Sequence, residues 1–236
     1  QNLSQGYLLL KEYDKAVAIA QELASATNAA FGDQMLLLSV AHQAARPDYA
    51  EMLAKTQTLA ATDPDRIKSL ATWMIGTRQV DESLRWLTNA PPATQADAGI
   101  AVCIADAYLA RRDWAALQRI TAKGNWEETE FVRHSLQARA WRELGQSVSS
   151  EAAWLSAVRA TGNKPHALAL LARQASNWGW KHEEEQLLWQ IVERFPGERW
   201  APGALSALLS KAGNTRGLNR LAGIAVGQNA ANVQKD

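Results

Sequence analysis

The side chains best suited to chemistry are few and scattered. His42, His134, His166 and His182 share no short metal-ligand spacing, and no HExxH stretch occurs. Cys103 is the single cysteine and sits inside the apolar run 100–105 with no base beside it in sequence. It reads as a small core hydrophobe, and one cysteine excludes an internal disulfide framework and a cysteine-based zinc site. There is no glycine-rich phosphate loop and no GxSxG elbow around a serine. Residues 182–185 read His-Glu-Glu-Glu. At the start of a helix such carboxylates favour the dipole and need no catalytic role. The expectation is a chain that is not an enzyme, with no cofactor and no metal.

Ten tryptophans are the compositional oddity. Most read as core packing. Trp126, in an expected loop, and Trp200, near an expected helix start, are the candidates for an exposed aromatic contact to a peptide or a glycan. The net charge of +1, from 25 basic and 24 acidic residues, argues against a nucleic-acid partner, which normally faces a basic excess. The longest apolar run, near 35–38, is too short to span a membrane. Residues 1–10 lack a basic start, an apolar stretch and a small-residue cleavage site. Compartment, bacterial cytoplasm or periplasm, is not legible.

What would position these residues is helix. No stretch alternates apolar and polar residues long enough for a sheet. Over 165–178, Leu168, Leu171, Ala172 and Ala175 recur three and four apart; over 181–195, Leu187, Leu188, Ile191, Val192 and Phe195 do the same. The seven prolines fall between helical stretches or in first turns, where a missing N–H costs nothing. About fourteen short helices with tight connections are expected. A period then emerges. Gly145, Gly179 and Gly213 stand 34 residues apart in short turns. Counting back places equivalent turns at Arg112, Arg78, Arg46 or Pro47, and Lys11. A unit of about 34 residues is the length of a helix-turn-helix repeat.

The units themselves resemble tetratricopeptide (TPR) repeats. A large–small pair, a large residue one turn on, a turn residue and spaced apolar positions in the second helix recur throughout. The sixth unit reads Leu171-Ala172, Ala175, Gly179, Leu188, Ile191, Pro196. The fifth reads Ala138, Trp141, Gly145, Trp154, Ala157, and the fourth Ile104-Ala105, Tyr108, Trp114, Leu117. The third reads Leu70-Ala71, Met74, Val80, Leu87, Ala90, and the seventh Leu205-Ser206, Leu209, Gly213, Leu218. The second, around Leu38-Ser39, carries an irregularity of one or two residues. The first, Leu3-Ser4, Tyr7, Tyr13, Ala16, lacks the opening of its first helix, and 229–236 can open an eighth. Gln137 stands at a usually apolar position and Glu184 at a usually small one. The resemblance covers essentially the whole chain. It implies an all-α, right-handed α-solenoid of about seven repeats, one superhelical domain over 1–236, within a longer bacterial protein. First helices would line the concave face.

The resemblance also implies a function, a non-enzymatic scaffold holding a protein or peptide segment in that groove. The residue after each large–small pair reads Gln5, Val40, Thr72, Asp106, Arg139, Arg173, Ala207. Arg142 lies one turn from Arg139, and Asn177 one turn from Arg173. Arginine forks can clamp an acidic side chain or a terminal carboxylate. Arg139, Arg142, Arg173, Asn177, Asp106 and Trp200 are therefore the expected partner contacts, and an acidic partner fits them. The lysine and asparagine set by which some TPR domains hold chaperone tails is not reproduced. The alternatives are a glycan- or cell-wall-binding module using exposed tryptophans, an RNA-binding helical repeat of related period, and a structural spacer or self-association module.

Overall fold

A computed structural model of the chain describes residues 6, 7 and 9–233, with side chains described as far as Ile224. Leu3, Ser4 and Gln5 lie outside the described residues. Among the described residues there are α-helices and one short 3-10 turn, and no strand. The fold is all-α and TPR-like. Contacts divide the chain into two compact units, residues 1–126 and 127–236.

In the first unit, α1 (Tyr13–Ser25) is the second helix of the first repeat. The pairs α2 (Phe31–Gln43) with α3 (Tyr49–Ala60), α4 (Pro64–Gly76) with α5 (Val80–Thr88), and α7 (Ala98–Arg111) with α8 (Trp114–Thr121) follow. The four-residue helix α6 (Pro92–Gln95) precedes α7. Helix starts obey local chemistry. Asp63 caps α4 by accepting from the N–H of Asp65 and Arg66, with Pro64 in the first turn. Asp97 and Asp113 cap α7 and α8 through the N–H groups of Ile100 and Ala116. Helix α5 is short, and α6 fills the chain length that a full second helix would use, so the period survives.

In the second unit, a 3-10 turn (Glu127–Thr129) leads to three pairs. They are α9 (Glu130–Glu143) with α10 (Ser147–Ala160), α11 (Pro165–Trp178) with α12 (Lys181–Arg194), and α13 (Trp200–Lys211) with α14 (Thr215–Val233). The described part of 229–236 continues α14 and opens no eighth pair.

The seven intra-repeat turns share one geometry. Lys11, Ala45, Arg78, Arg112, Gly145, Gly179 and Gly213 all have positive φ, and they recur 33 or 34 residues apart. The next N–H bonds back to the carbonyl five residues before it, as in Trp180 to Ala175 at 2.8 Å, Gln146 to Trp141 at 2.8 Å and Asp113 to Tyr108 at 3.0 Å. This left-handed closure satisfies helix-end carbonyls and reverses the chain. Four of the seven turn residues carry a side chain into a region that disfavours one.

The second turn sits at Ala45, not Arg46 or Pro47. Elsewhere the inner-face residue stands six positions before the turn, so Ser39, not Val40, is the second repeat's equivalent. Val40 is fully buried against Ala16, Val17 and Ala20.

The expected core residues are where the period places them. Leu70, Ala71, Met74, Ile104, Ala105 and Leu117 are buried in the first unit. Ala138, Trp154, Ala157, Leu171, Ala172, Ala175, Leu188 and Ile191 are buried in the second. Small residues at the contacts let helices approach closely, and stacking neighbours buries what one pair leaves open. Cys103 is buried, and its thiol is pushed up to about 11 by that burial first and by Asp106 second. A protonated, enclosed thiol is no nucleophile at neutral pH.

Candidate binding groove

The second unit carries a groove of about 610 Å³ between its first helices α11 and α13. Helix α11 contributes His166, Ala169, Leu170, Arg173, Ser176 and Asn177 along one face. Its limits are set by Pro165 in the first turn and Gly179 in the left-handed cap. Helix α12 supplies the floor, with buried Leu188 and half-buried Glu184. The 195–199 connection brings Glu198, and α13 brings Trp200 and Ala204.

Three of the six expected contact residues meet here, namely Arg173, Asn177 and Trp200. Arg173 and Asn177 are exposed, one helical turn apart, with no side-chain partner among the described residues. Trp200 is 43% exposed and Leu170 46%, so two large apolar side chains face solvent in one concavity. The indole is held in place. Trp200 Nε1 donates to Glu198 Oε2 at 2.8 Å. Groups left open in this way match the usual make-up of a ligand site, apolar walls with a few fixed polar groups.

Arg139 and Arg142 have internal work instead. Arg139 pairs with Glu143 at 2.8 Å, and its guanidinium lies 5.7 Å from the Trp178 ring and 5.8 Å from the Trp180 ring. Arg142 lies over Trp180 at 3.5 Å and pairs with Glu183 on α12 of the next repeat. Trp180 stacks edge-on against Trp154 at 5.4 Å and Trp178 at 5.0 Å. The two arginines thus cover an aromatic ladder at the fifth and sixth turns. Neither lines the groove.

Asp106 belongs to the first unit. It reaches solvent, yet protein crowds it closely enough for desolvation to raise its carboxyl to about 6. Trp126 corrects the expectation of an exposed loop aromatic. It is only 2% exposed, under the loop that passes Gly124, whose φ of +91° turns the backbone over the indole.

Glu184, Glu198, Leu170 and His166 were not singled out as contacts from sequence. One signal did exist. Glu184 breaks the repeat's preference for a small residue at that position. Its neighbours in the acidic run have separate roles, since Glu183 pairs with Arg142 and Glu185 accepts from Trp189 Nε1 at 3.2 Å.

No family model matches the chain, and no curated protein does. Solved structures do resemble it. The pilF protein of Pseudomonas aeruginosa matches at 13% identity with a TM-score of 0.45, over 87% of this chain and 95% of that one. The C-terminal part of a TPR repeat-containing protein from Cytophaga hutchinsonii matches at 12% identity with a TM-score of 0.48, over 86% and 84%. Among the described residues, no helix is long and apolar enough to cross a membrane.

Proposed function

We propose that the chain is a non-enzymatic interaction scaffold whose second unit holds an extended peptide or protein segment in the groove between α11 and α13. The observation that carries this reading is the groove itself, with Leu170 and Trp200 left exposed beside Arg173 and Asn177. An apolar side chain of the partner covers Leu170 and the Trp200 ring. Arg173 and Asn177 hydrogen-bond the partner's backbone carbonyls or an acidic group. Because α11, α12 and α13 are packed on the core and the indole is held by Glu198, the groove is preformed. The partner bears most of the ordering cost.

The test is a paired capture experiment with the native chain and an Arg173→Glu, Trp200→Ala variant, both checked for helicity by circular dichroism. A partner retained by the native bait and lost with the variant supports the groove. Equal retention moves the interaction off this face. The exposed indole also favours a second reading, a glycan stacked on Trp200. Oligosaccharide titration that leaves tryptophan fluorescence unchanged at millimolar concentration removes it.

A further inference from the structure

The second unit builds the same trio twice from its own side chains, a tryptophan, a glutamate and an arginine lying on the ring. Arg142 lies 3.5 Å over Trp180 and pairs with Glu183. Arg220 lies 4.3 Å over Trp189 and pairs with Glu193, while the Trp189 indole N–H is held by Glu185. In both cases the ring's negative face and a carboxylate share one guanidinium.

The groove contains two thirds of a third trio. Trp200 is fixed by Glu198 through its indole N–H at 2.8 Å. No cation among the described residues lies on its ring, which is 43% exposed. A second carboxylate, Glu184, lines the same groove without a side-chain partner among the described residues. Against two glutamates the groove sets one arginine, Arg173. An acidic partner was expected from a stripe of three arginines, but two of the three are already paired inside the protein. The charge that remains in the groove selects the opposite sign.

We infer that the segment bound in this groove presents an arginine beside a large apolar residue. The inference rests on the groove being a peptide site. The arginine stacks on the Trp200 ring and shares the Glu198 and Glu184 carboxylates. The apolar neighbour packs on Leu170, and Arg173 and Asn177 hold backbone carbonyls of the same segment. Arginine fits better than lysine because its flat guanidinium stacks on the ring and forks to a carboxylate at once.

The experiment follows the ten indole N–H resonances of the ¹⁵N-labelled full chain, with Trp200→Phe assigning the relevant one. The probes are acetyl-Ala-Leu-Arg-Ala-Leu-Arg-amide and its counterpart with both arginines replaced by glutamate. The arginine peptide is expected to shift the Trp200 resonance and to bind more weakly as salt rises. Glu198→Gln keeps an acceptor for the indole and removes the charge. It and Glu184→Gln should each weaken binding about fivefold. Trp200→Leu, read by calorimetry, should weaken it about tenfold. Equal or tighter binding of the glutamate peptide, or no loss in the two glutamine variants, overturns the inference and leaves the groove reading standing. If neither peptide binds, the groove reading falls and this inference falls with it.

Discussion

Equivalent turns closed by different residues give a prediction with opposite signs from one cause. Arg112 sits at φ 58°, ψ 31° and Gly179 at φ 73°, ψ 21°, the same left-handed cap in two repeats. A side chain there costs roughly 1–2 kcal/mol, because Cβ crowds the following carbonyl. Glycine avoids that cost but loses roughly 0.5–1 kcal/mol more conformational freedom on folding. The difference is about 0.5–1 kcal/mol in favour of glycine. A Cβ added at Gly179 meets nothing within 4 Å, so no clash adds to the conformational term. Arg112 is exposed, so little packing is lost when its side chain goes. Arg112→Gly should therefore stabilise the first unit by about 0.5–1 kcal/mol. Gly179→Ala should destabilise the second by the same amount. Urea unfolding followed by far-ultraviolet circular dichroism, with hydrogen exchange to assign the change to a unit, reads both. If Gly179→Ala is neutral, or if Arg112→Gly destabilises, the account of the turns is wrong.

Three further expectations concern packing, the aromatic ladder and pH. Ala138 is fully buried at a helix contact, so Ala138→Leu should overpack it and cost about 1–3 kcal/mol in denaturant unfolding. Arg142→Ala removes the cation over Trp180 and the pair with Glu183; with Arg142 38% exposed, the loss should be about 0.5–1 kcal/mol, with a change in tryptophan emission. Asp106 has a folded pKa near 6 against an ordinary value of 3.8, so between about pH 4 and 6 the folded state binds more protons than the unfolded one. Stability should therefore fall as pH rises through that window, and Asp106→Asn should flatten the slope. A carboxyl-carbon titration midpoint for Asp106 near 4 would refute it.

The architecture was legible because it depends on what the sequence repeats. Turn positions recur at a fixed interval, and all but one of the seven turns fall at the residue the period names. The exception, Ala45, shows the limit. Leu36, Leu37 and Leu38 run together, and the pair there with a small second member, Leu38-Ser39, stands one residue out of register with the turn, which places the pair at Leu37-Leu38. Only the observed turn fixes the register and moves Val40 into the core. Trp126 was misread for a related reason. Loop composition says that backbone is irregular, not that a large aromatic in it will stay in water, and burying an indole is strongly favourable.

The binding surface was harder to read because equivalent spacing does not mean equivalent surroundings. Arg139 and Arg173 occupy the same place in adjacent repeats, each six residues before its turn. What separates them is the neighbour that each meets. Arg139 finds Glu143 one turn along its own helix and the Trp178 and Trp180 rings at the next repeat's turn. Arg173 has Asn177 at the place that Glu143 holds for Arg139, and no ring within cation–π reach among the described residues. The Glu143 pair is a local signal, four residues along the helix; the rings that complete the difference lie up to 41 positions away, beyond any local pattern. The departures from the repeat pattern were the better guide. Glu184 stands where a small residue packs, and its half-buried carboxylate lines the groove without a side-chain partner among the described residues. In a fold whose repeats are made alike by packing, a polar residue in a packing position is where function is most readily sought. A swap of Glu184 to alanine, the residue the pattern prefers, should leave unfolding within about 0.5 kcal/mol of the native chain while weakening the arginine peptide. Loss of stability instead would return Glu184 to the structure and remove it from the site.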